Sequence, residues 1–138
     1  MFNLLNEAAA IECDLIALRR RIHSRPELGR SESETTRLVE SELDKLGIPH
    51  RRAADTGVVG ELAGAFSGPV TALRADMDAL PVQEKTGLPY ASEFPGVMHA
   101  CGHDFHTAAL LGAARLLDRK STRLNSSHIA TSRMPSSA

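Results

Sequence analysis

The 138-residue sequence contains no tryptophan, one tyrosine and only two cysteines. So few aromatic side chains argue against a surface that stacks nucleic-acid bases, and a formal net charge of -1 gives no attraction to phosphates or membranes. Two cysteines cannot build a disulfide framework, which favours a reducing compartment. The N-terminus lacks the basic and apolar regions of a signal peptide, and no apolar run reaches membrane-spanning length. We therefore expect a cytoplasmic protein that binds neither nucleic acid nor membranes.

Periodic patterns in the sequence predict a mixture of helices and strands. A first apolar stripe at helical spacing stops before Pro26. A second helix opens on the capping-box pattern that starts at Ser31, and Gly47 ends it. The predicted elements are helices at 3–24, 31–46 and 104–117 and strands at 58–62 and 70–75. This order predicts an α/β fold with one core.

Two side chains on the first predicted helix have more than one possible role. Cys13 is assigned to the core, because an isolated cysteine is most often a small buried apolar residue. His23, in the last turn, is expected to be hydrogen-bonded or exposed rather than to bind a metal. Neither residue is therefore placed in the functional site.

The densest group of metal-binding side chains lies at residues 96–106. It consists of His99, Cys101, His103, Asp104 and His106. Thiolate and imidazole are ligands for zinc, manganese, nickel or cobalt, and Cys-x-His spacing lets both side chains reach one ion. The glycine between them allows a tight backbone turn. The cluster predicts a metal site, although each residue taken alone is more often a core or surface residue.

Two aspartates follow the second predicted strand. Asp76 and Asp78 come at the carboxyl end of this strand, where open α/β sheets place their active sites. Alternate residues of an extended chain point the same way, so both carboxylates can share a face. The same pattern suits two solvated loop aspartates equally well.

Four motifs together give the chain a specific resemblance to a known family. They are Arg20-Arg21-x-His23 with Pro26-Glu27-Leu28, Thr56-Gly57-Val58-Val59, Leu73-Arg74-Ala75-Asp76-Met77-Asp78-Ala79-Leu80-Pro81, and Met98-His99-Ala100-Cys101-Gly102-His103-Asp104-x-His106-Thr107. Over residues 15–117 the chain resembles the metal-dependent amidohydrolases that include hippurate hydrolase, N-acyl-amino-acid hydrolases and auxin-conjugate hydrolases. The resemblance implies a two-metal α/β catalytic domain, interrupted by a smaller dimerisation or lid domain, in a homo-oligomer. It also implies cleavage of the amide bond between an acyl group and an amino acid.

The resemblance assigns roles to individual residues. Cys101 and His103 match the family's two metal ligands in its Ala-Cys-Gly-His-Asp motif, and Asp78 matches an aspartate that orients a ligand. Asp76 stands where related metallopeptidases have a metal-binding histidine. Asp76, Asp104 and His106 are assigned to the shell around the ligands. In the implied mechanism, two manganese, zinc, nickel or cobalt ions activate a water that attacks the amide.

The general base of this family is missing from the sequence. In the family it lies in a Glu-Glu pair some tens of residues beyond the cluster, and no glutamate follows the cluster here. Glu84 and Glu93 are the nearest rival bases in sequence. We therefore interpret residues 1–117 as the N-terminal part of a two-metal aminopeptidase-like or amidohydrolase-like catalytic domain, truncated and inactive by itself.

The last part of the chain differs in composition from the rest. Residues 118–138 are polar and serine-rich, which is typical of a disordered end. One frame of a widely used short-read sequencing adapter translates into residues 118–128 and, after a variable index, into residues 132–138. We interpret 118–138 as a non-native disordered tail.

The leading functional hypothesis is a fragment of a metal-dependent hydrolase of N-acyl amino acids or peptides. A dipeptidase or carboxypeptidase of the same superfamily is the alternative, and cysteine rather than aspartate at the ligand position favours the amidohydrolase. A structural zinc module is a different class, with His99, Cys101, His103 and His106 as its nominal ligands. Four ligands within eight residues would strain a tetrahedral shell.

Overall fold

The structure of the chain, a computed structural model, describes residues 4–64, 67–121 and 129–131. Its elements are α1 (Leu4–Ser24), α2 (Ser33–Lys45), β1 (His50–Ala53), β2 (Gly57–Leu62), β3 (Thr71–Leu73), α3 (His103–Ser121) and β4 (Ile129–Thr131). The strands form one sheet in the order β1-β2-β4-β3. β2 is antiparallel to both β1 and β4, and β4 is parallel to β3. The predicted α/β fold is confirmed.

Helices α1 and α3 pack against each other along the stripe that the sequence predicts. The buried residues of α1 are Ile11, Leu18, Ile22 and His23. A Cβ atom at Gly112 of α3 would lie 2.6 Å from Leu15 Cδ1, so glycine permits the close approach of the two helices. Cys13 is exposed, and its predicted core position is wrong. Two residues advance a helix by about 200°, so Cys13 points away from the side that Ile11 buries.

Helix α2 lies where the sequence predicts it, but its N-terminus is capped differently. The N-cap residue Glu32 makes no side-chain capping hydrogen bond. Instead, the carboxylate of Glu27 accepts hydrogen bonds from the backbone N–H groups of Glu34 (2.9 Å) and Thr35 (2.8 Å). The capping-box prediction is wrong because the preceding loop brings a carboxylate to the helix N-terminus. The predicted stop is confirmed by Gly47, whose φ of +65° suits glycine.

The two predicted strands are present, and two further strands, β1 and β4, were missed. β2 begins one residue before the predicted range of 58–62, and β3 is shorter than the predicted 70–75. β1 pairs with β2 at the edge of the sheet. Its sequence is His-Arg-Arg-Ala, so no alternation of apolar and polar residues marks it. The pairing of β1 rests on backbone hydrogen bonds, which are independent of side-chain polarity.

Two pieces of the predicted disordered tail have regular structure. α3 continues to Ser121, because residues 118–121 include no glycine or proline, and β4 lies between β2 and β3. β4 includes two β-branched residues, and its backbone pairs on both sides, as a strand between two neighbours requires. The disorder of the tail as a whole stays a prediction. The rest of 118–138 lies outside the described residues, and the division of the chain at residue 117 stays a prediction.

One apolar cluster connects all three helices with β2. Its buried members are Leu18, Ile22, Val39, Leu43, Ile48, Val58, Met77, Ala108, Leu111 and Ala114. Met77 belongs to the segment that follows β3, so the core anchors the stretch that carries Asp76 and Asp78. Among the helices of the described residues, none combines the length and the apolar character that a bilayer span needs.

Candidate metal centre

Two extended segments lie side by side and bring the predicted site residues together. Leu80 and Met98 exchange backbone hydrogen bonds, both with an N···O distance of 3.0 Å. This pairing joins the segment after β3 to the segment before α3. Asp78 therefore lies beside Cys101, although 23 residues separate them in the sequence.

The backbone carbonyl of Asp78 contacts both predicted ligands. The Cys101 thiol donates to this oxygen over 3.6 Å, and His103 Nδ1 lies 3.0 Å from it. The same nitrogen is 3.2 Å from the Asp78 carboxylate. Both neighbours of Nδ1 are acceptors, so Nδ1 carries a proton and donates it. In the neutral ring, Nε2 is then the unprotonated nitrogen that binds metals.

The chemistry of these donors fits a divalent metal ion. Cys101 is exposed and His103 is partly exposed, so both side chains are accessible to an ion. A thiol, together with an imidazole whose other nitrogen donates to a carboxylate, is typical of zinc-type sites. Gly102 has a φ of +84°, which allows the turn between the two residues. Within the described part of the chain, no three His, Cys, Asp or Glu side chains are arranged to hold one ion.

Two residues assigned to the surrounding shell have contacts of other kinds. The Asp76 carboxylate forms an ion pair with Arg74 at 2.6 Å, and its backbone oxygen accepts a hydrogen bond from the Thr107 hydroxyl at 3.0 Å. His106 is exposed, and its ring centroid lies 5.7 Å from that of His103. Asp76 thus contacts α3 through its backbone, while its carboxylate faces Arg74.

Asp104, the residue after His103, points into the protein and joins a buried ionic cluster. We give this name to Arg19, His23, Glu84 and Asp104. Asp104 Oδ2 lies 2.6 Å from Arg19 Nε and 2.7 Å from His23 Nδ1. His23 Nε2 lies 3.2 Å from Glu84 Oε1. At most 3% of the side chain of His23, Glu84 or Asp104 is exposed, so the contacts among these three are shielded from water, whereas Arg19 reaches the surface with 31% of its side chain exposed.

The buried ionic cluster includes residues that sequence reasoning left outside the site. His23 is hydrogen-bonded, as expected, but its link to the residue beside His103 was missed. The available signal was its place in the Arg-Arg-x-His motif, which belongs to the same resemblance as the metal cluster. Arg19 and Glu84 carried no comparable signal.

The two rival bases are engaged in other contacts. The Glu84 carboxylate accepts hydrogen bonds from the backbone N–H of Ser92 at 2.6 Å and from the hydroxyl of Thr86. Burial raises the pKa of Glu84, but these bonds and the contact with His23 outweigh it and hold the pKa below its ordinary value. Glu93 pairs with Arg25 at 3.0 Å. Neither the contacts of Glu84 nor those of Glu93 point a carboxylate toward Cys101 or His103.

His99 is buried next to residues 101–103, which we call the metal-ligand turn because they carry the two predicted ligands. Desolvation by burial lowers its pKa to about 4, so its ring is neutral at neutral pH. Within the described residues neither ring nitrogen has a hydrogen-bond partner, and its ring lies 6.3 Å from that of His23. His99 therefore belongs to the interior beside the buried ionic cluster.

A family model and a solved structure point to the same protein family. Residues 72–130 match the family described as "Peptidase family M20/M25/M40". A solved dinuclear metal-binding peptidase of the M20 family from Bacillus subtilis superimposes with a TM-score of 0.85 at 43% identity. That match covers 92% of this chain and 36% of the peptidase.

Curated relatives from bacteria, plants and archaea also match. N-acetyl-L-cysteine deacetylase of Bacillus subtilis is 57% identical over 79% of this chain and 26% of its own length. An IAA-amino acid hydrolase of Arabidopsis thaliana is 55% identical over 75% of this chain and 24% of its own. Thermostable carboxypeptidase 1 of Saccharolobus solfataricus is 50% identical over 83% and 30%. The chain thus spans about a quarter to a third of the length of these relatives.

Proposed function

This chain belongs to the peptidase family M20/M25/M40, and on that basis we propose that it supplies part of the catalytic domain of a metal-dependent hydrolase of N-acyl amino acids. The observation that supports this most directly is the shared contact of Cys101 and His103 with the carbonyl of Asp78. It brings a thiol and an oriented imidazole to one place. A substrate with an amide bond between an acyl group and an amino acid fits the activities named for the deacetylase and the IAA-amino acid hydrolase.

Three residues have proposed roles in holding the metal. Cys101 Sγ and His103 Nε2 bind it, and Asp78 orients His103 by accepting from its Nδ1. Bound zinc, manganese, nickel or cobalt, with two ions per site, would activate water and polarise the amide carbonyl. His106, exposed beside His103, borders the place where substrate would approach.

The general base of the proposed enzyme would lie outside residues 1–117. Amide hydrolysis needs a base for the water and an acid for the departing nitrogen. Glu84 and Glu93 are engaged with His23 and Arg25, respectively. We also propose that the whole enzyme is homo-oligomeric and lies in the cytoplasm. The two free cysteines, Cys13 and Cys101, agree with a reducing compartment.

A carboxypeptidase is the second candidate, because a named carboxypeptidase is 50% identical to this chain. The two candidates share the metal centre and differ in the group on the amino side of the scissile bond. An acyl group lacks the further peptide bonds that a peptide substrate carries. Paired substrates with the same C-terminal amino acid therefore separate the candidates.

A chimera tests the proposed function. Residues 1–117 replace the matching segment of the Bacillus subtilis deacetylase, to which this chain is 57% identical. With manganese or zinc added, we expect hydrolysis of hippurate or N-acetyl-cysteine, and loss of activity when a chelator removes the metal. The 138-residue chain alone should show no turnover.

The parent deacetylase and a chimera carrying Cys101→Ser are the controls. Preference for peptides over N-acyl amino acids would favour the carboxypeptidase. A folded chimera that binds metal but hydrolyses neither class would contradict the proposal, and turnover by the 138-residue chain would contradict a base outside residues 1–117.

A further inference from the structure

His23 connects three separate segments of the chain inside the protein. It lies in the last turn of α1, its Nδ1 faces Asp104 at the start of α3, and its Nε2 faces Glu84 in the loop before the metal-ligand turn. Carboxylate oxygens only accept hydrogen bonds, so a His23 nitrogen that carries a proton donates it to the carboxylate that it faces. The imidazole presents its two ring nitrogens in different directions on a short stem, so one side chain contacts both carboxylates. His23 is therefore a specific choice at a junction of three segments.

The contact with Asp104 reaches the proposed metal centre directly. Asp104 follows His103 and is three residues from Cys101. The N–H of Phe105 and that of His106 both donate to the Gly102 carbonyl, at 3.0 and 3.1 Å, which makes the turn and the first turn of α3 one rigid unit. Fixing Asp104 thus fixes the backbone on which both proposed ligands stand.

From these contacts we infer that His23 is a positioning residue of the metal centre and acts through Asp104. The inference rests on the proposed function, because it requires that Cys101 and His103 bind a metal. Asp78 holds the His103 ring from one side, and His23 with Arg19 holds the adjacent backbone from the other. Groups that orient metal ligands in this way typically change metal affinity by about 10- to 100-fold when they are removed.

The two nitrogens of His23 can be replaced one at a time. In asparagine the amide nitrogen can occupy the position of Nδ1, so His23→Asn keeps a donor for Asp104 and loses the one for Glu84. In glutamine the amide nitrogen reaches toward the position of Nε2, so His23→Gln keeps a donor for Glu84 instead. If His23 acts through Asp104, only the asparagine variant retains metal affinity.

Cobalt titration of the 138-residue chain tests the inference. Thiolate coordination of Co²⁺ gives a ligand-to-metal charge-transfer absorption, which reports binding at a cysteine without any assay of activity. We expect His23→Ala and His23→Gln to weaken binding by about 10- to 100-fold and His23→Asn to stay within about threefold of the original chain. Circular dichroism checks that each variant is folded.

Glu42→Gln is the matched control, because it removes a nearly buried charge at the contact of α2 with α3. It should lower stability and leave cobalt affinity unchanged. Equal affinity of all folded His23 variants would overturn the inference, as would equal losses in the asparagine and glutamine variants. Unfolding of both amide variants would also overturn it, since His23 would then serve folding. Absence of the cobalt absorption in the original chain would instead refute the metal centre of the proposed function.

Discussion

At the proposed metal centre, His103 is held in a fixed orientation and Cys101 is accessible to an ion. His103 donates from Nδ1 to Asp78, so little rotational freedom remains to be lost when Nε2 binds an ion. Cys101 is exposed, and its thiol makes only a weak hydrogen bond to the Asp78 carbonyl. The thiol can therefore rotate toward an ion at a small cost in free energy, whereas the imidazole is already held in a fixed orientation.

The first residue-scale prediction concerns Cys101. In the 138-residue chain, Cys101→Ser should abolish the thiolate-to-cobalt absorption, because serine offers no thiolate. Cys13→Ser should leave the absorption unchanged, since Cys13 is also an exposed free cysteine but lies on α1, away from Asp78. Binding in the original chain should be weak, because the described residues provide no third ligand side chain.

A loss of the absorption in Cys13→Ser, or its persistence in Cys101→Ser, would show that the thiol ligand is misassigned. His103→Ala adds a second check. It should weaken cobalt binding by at least about tenfold, because the oriented imidazole is lost.

Local sequence patterns identified the candidate site residues, but they did not predict the contacts between distant segments. Cys101 and His103 are marked by local density, and Asp78 by its position after a strand. The contact of His23 with Asp104 joins residues 81 positions apart, and no periodicity connects a helix end with a distant helix start. The engagement of Glu84 with His23 depends on the same packing.

At the scale of elements, one nearly buried carboxylate connects α2 with α3. Glu42 of α2 lies 2.6 Å from Arg115 of α3 and 2.6 Å from Lys45. Burial raises the pKa of Glu42, but the hydrogen bonds from Lys45 and Arg115 outweigh burial and hold the pKa below the ordinary value of 4.5. Glu42 therefore stays ionised and stabilises the contact between the helices at neutral pH.

Glu42→Gln should lower the free energy of unfolding by roughly 1–3 kcal/mol at neutral pH, because charge-assisted hydrogen bonds are lost. The folded protein binds fewer protons at Glu42 than the unfolded chain does as the pH falls below the ordinary pKa. The stabilising contribution is thus complete above that pKa and decreases as the pH falls through the lowered one. Urea unfolding of both proteins at about pH 7 and about pH 3 should show a difference that shrinks on acidification. A difference that is equal at both pH values would contradict the ionic origin of the effect.

In the molecule as a whole, the helices form where apolar periodicity predicts them, whereas the arrangement of the sheet depends on tertiary contacts. Helices α1 to α3 appear within a few residues of their predicted ranges, because each buries a continuous stripe. No comparable local pattern in the sequence predicts the order of the strands. β1 pairs at an edge despite its charges, and β4 pairs between β2 and β3 although it lies in a segment whose composition predicts disorder.

The two edges of this sheet are not equally protected against pairing with a strand of another chain. β1 carries a histidine and two arginines, which discourage pairing with another chain. β3 is Thr-Ala-Leu, has no charged residue, and follows the exposed Val70. We expect the chain to associate through β3 as its concentration rises. Leu73→Lys should shift association to higher concentration, because a charge on the edge opposes strand pairing.

Leu5→Lys is the control for this variant, since it also replaces an exposed leucine by lysine but lies on α1. Size-exclusion chromatography with light scattering over a concentration series measures the effect. An equal shift in both variants would mean that net charge, rather than the β3 edge, governs association. A chain that stays monomeric at every concentration would show that the β3 edge is protected by features other than charge. If the shift is specific to Leu73, the exposed edge is the surface at which a longer family member would need a neighbouring strand, a helix or a second subunit.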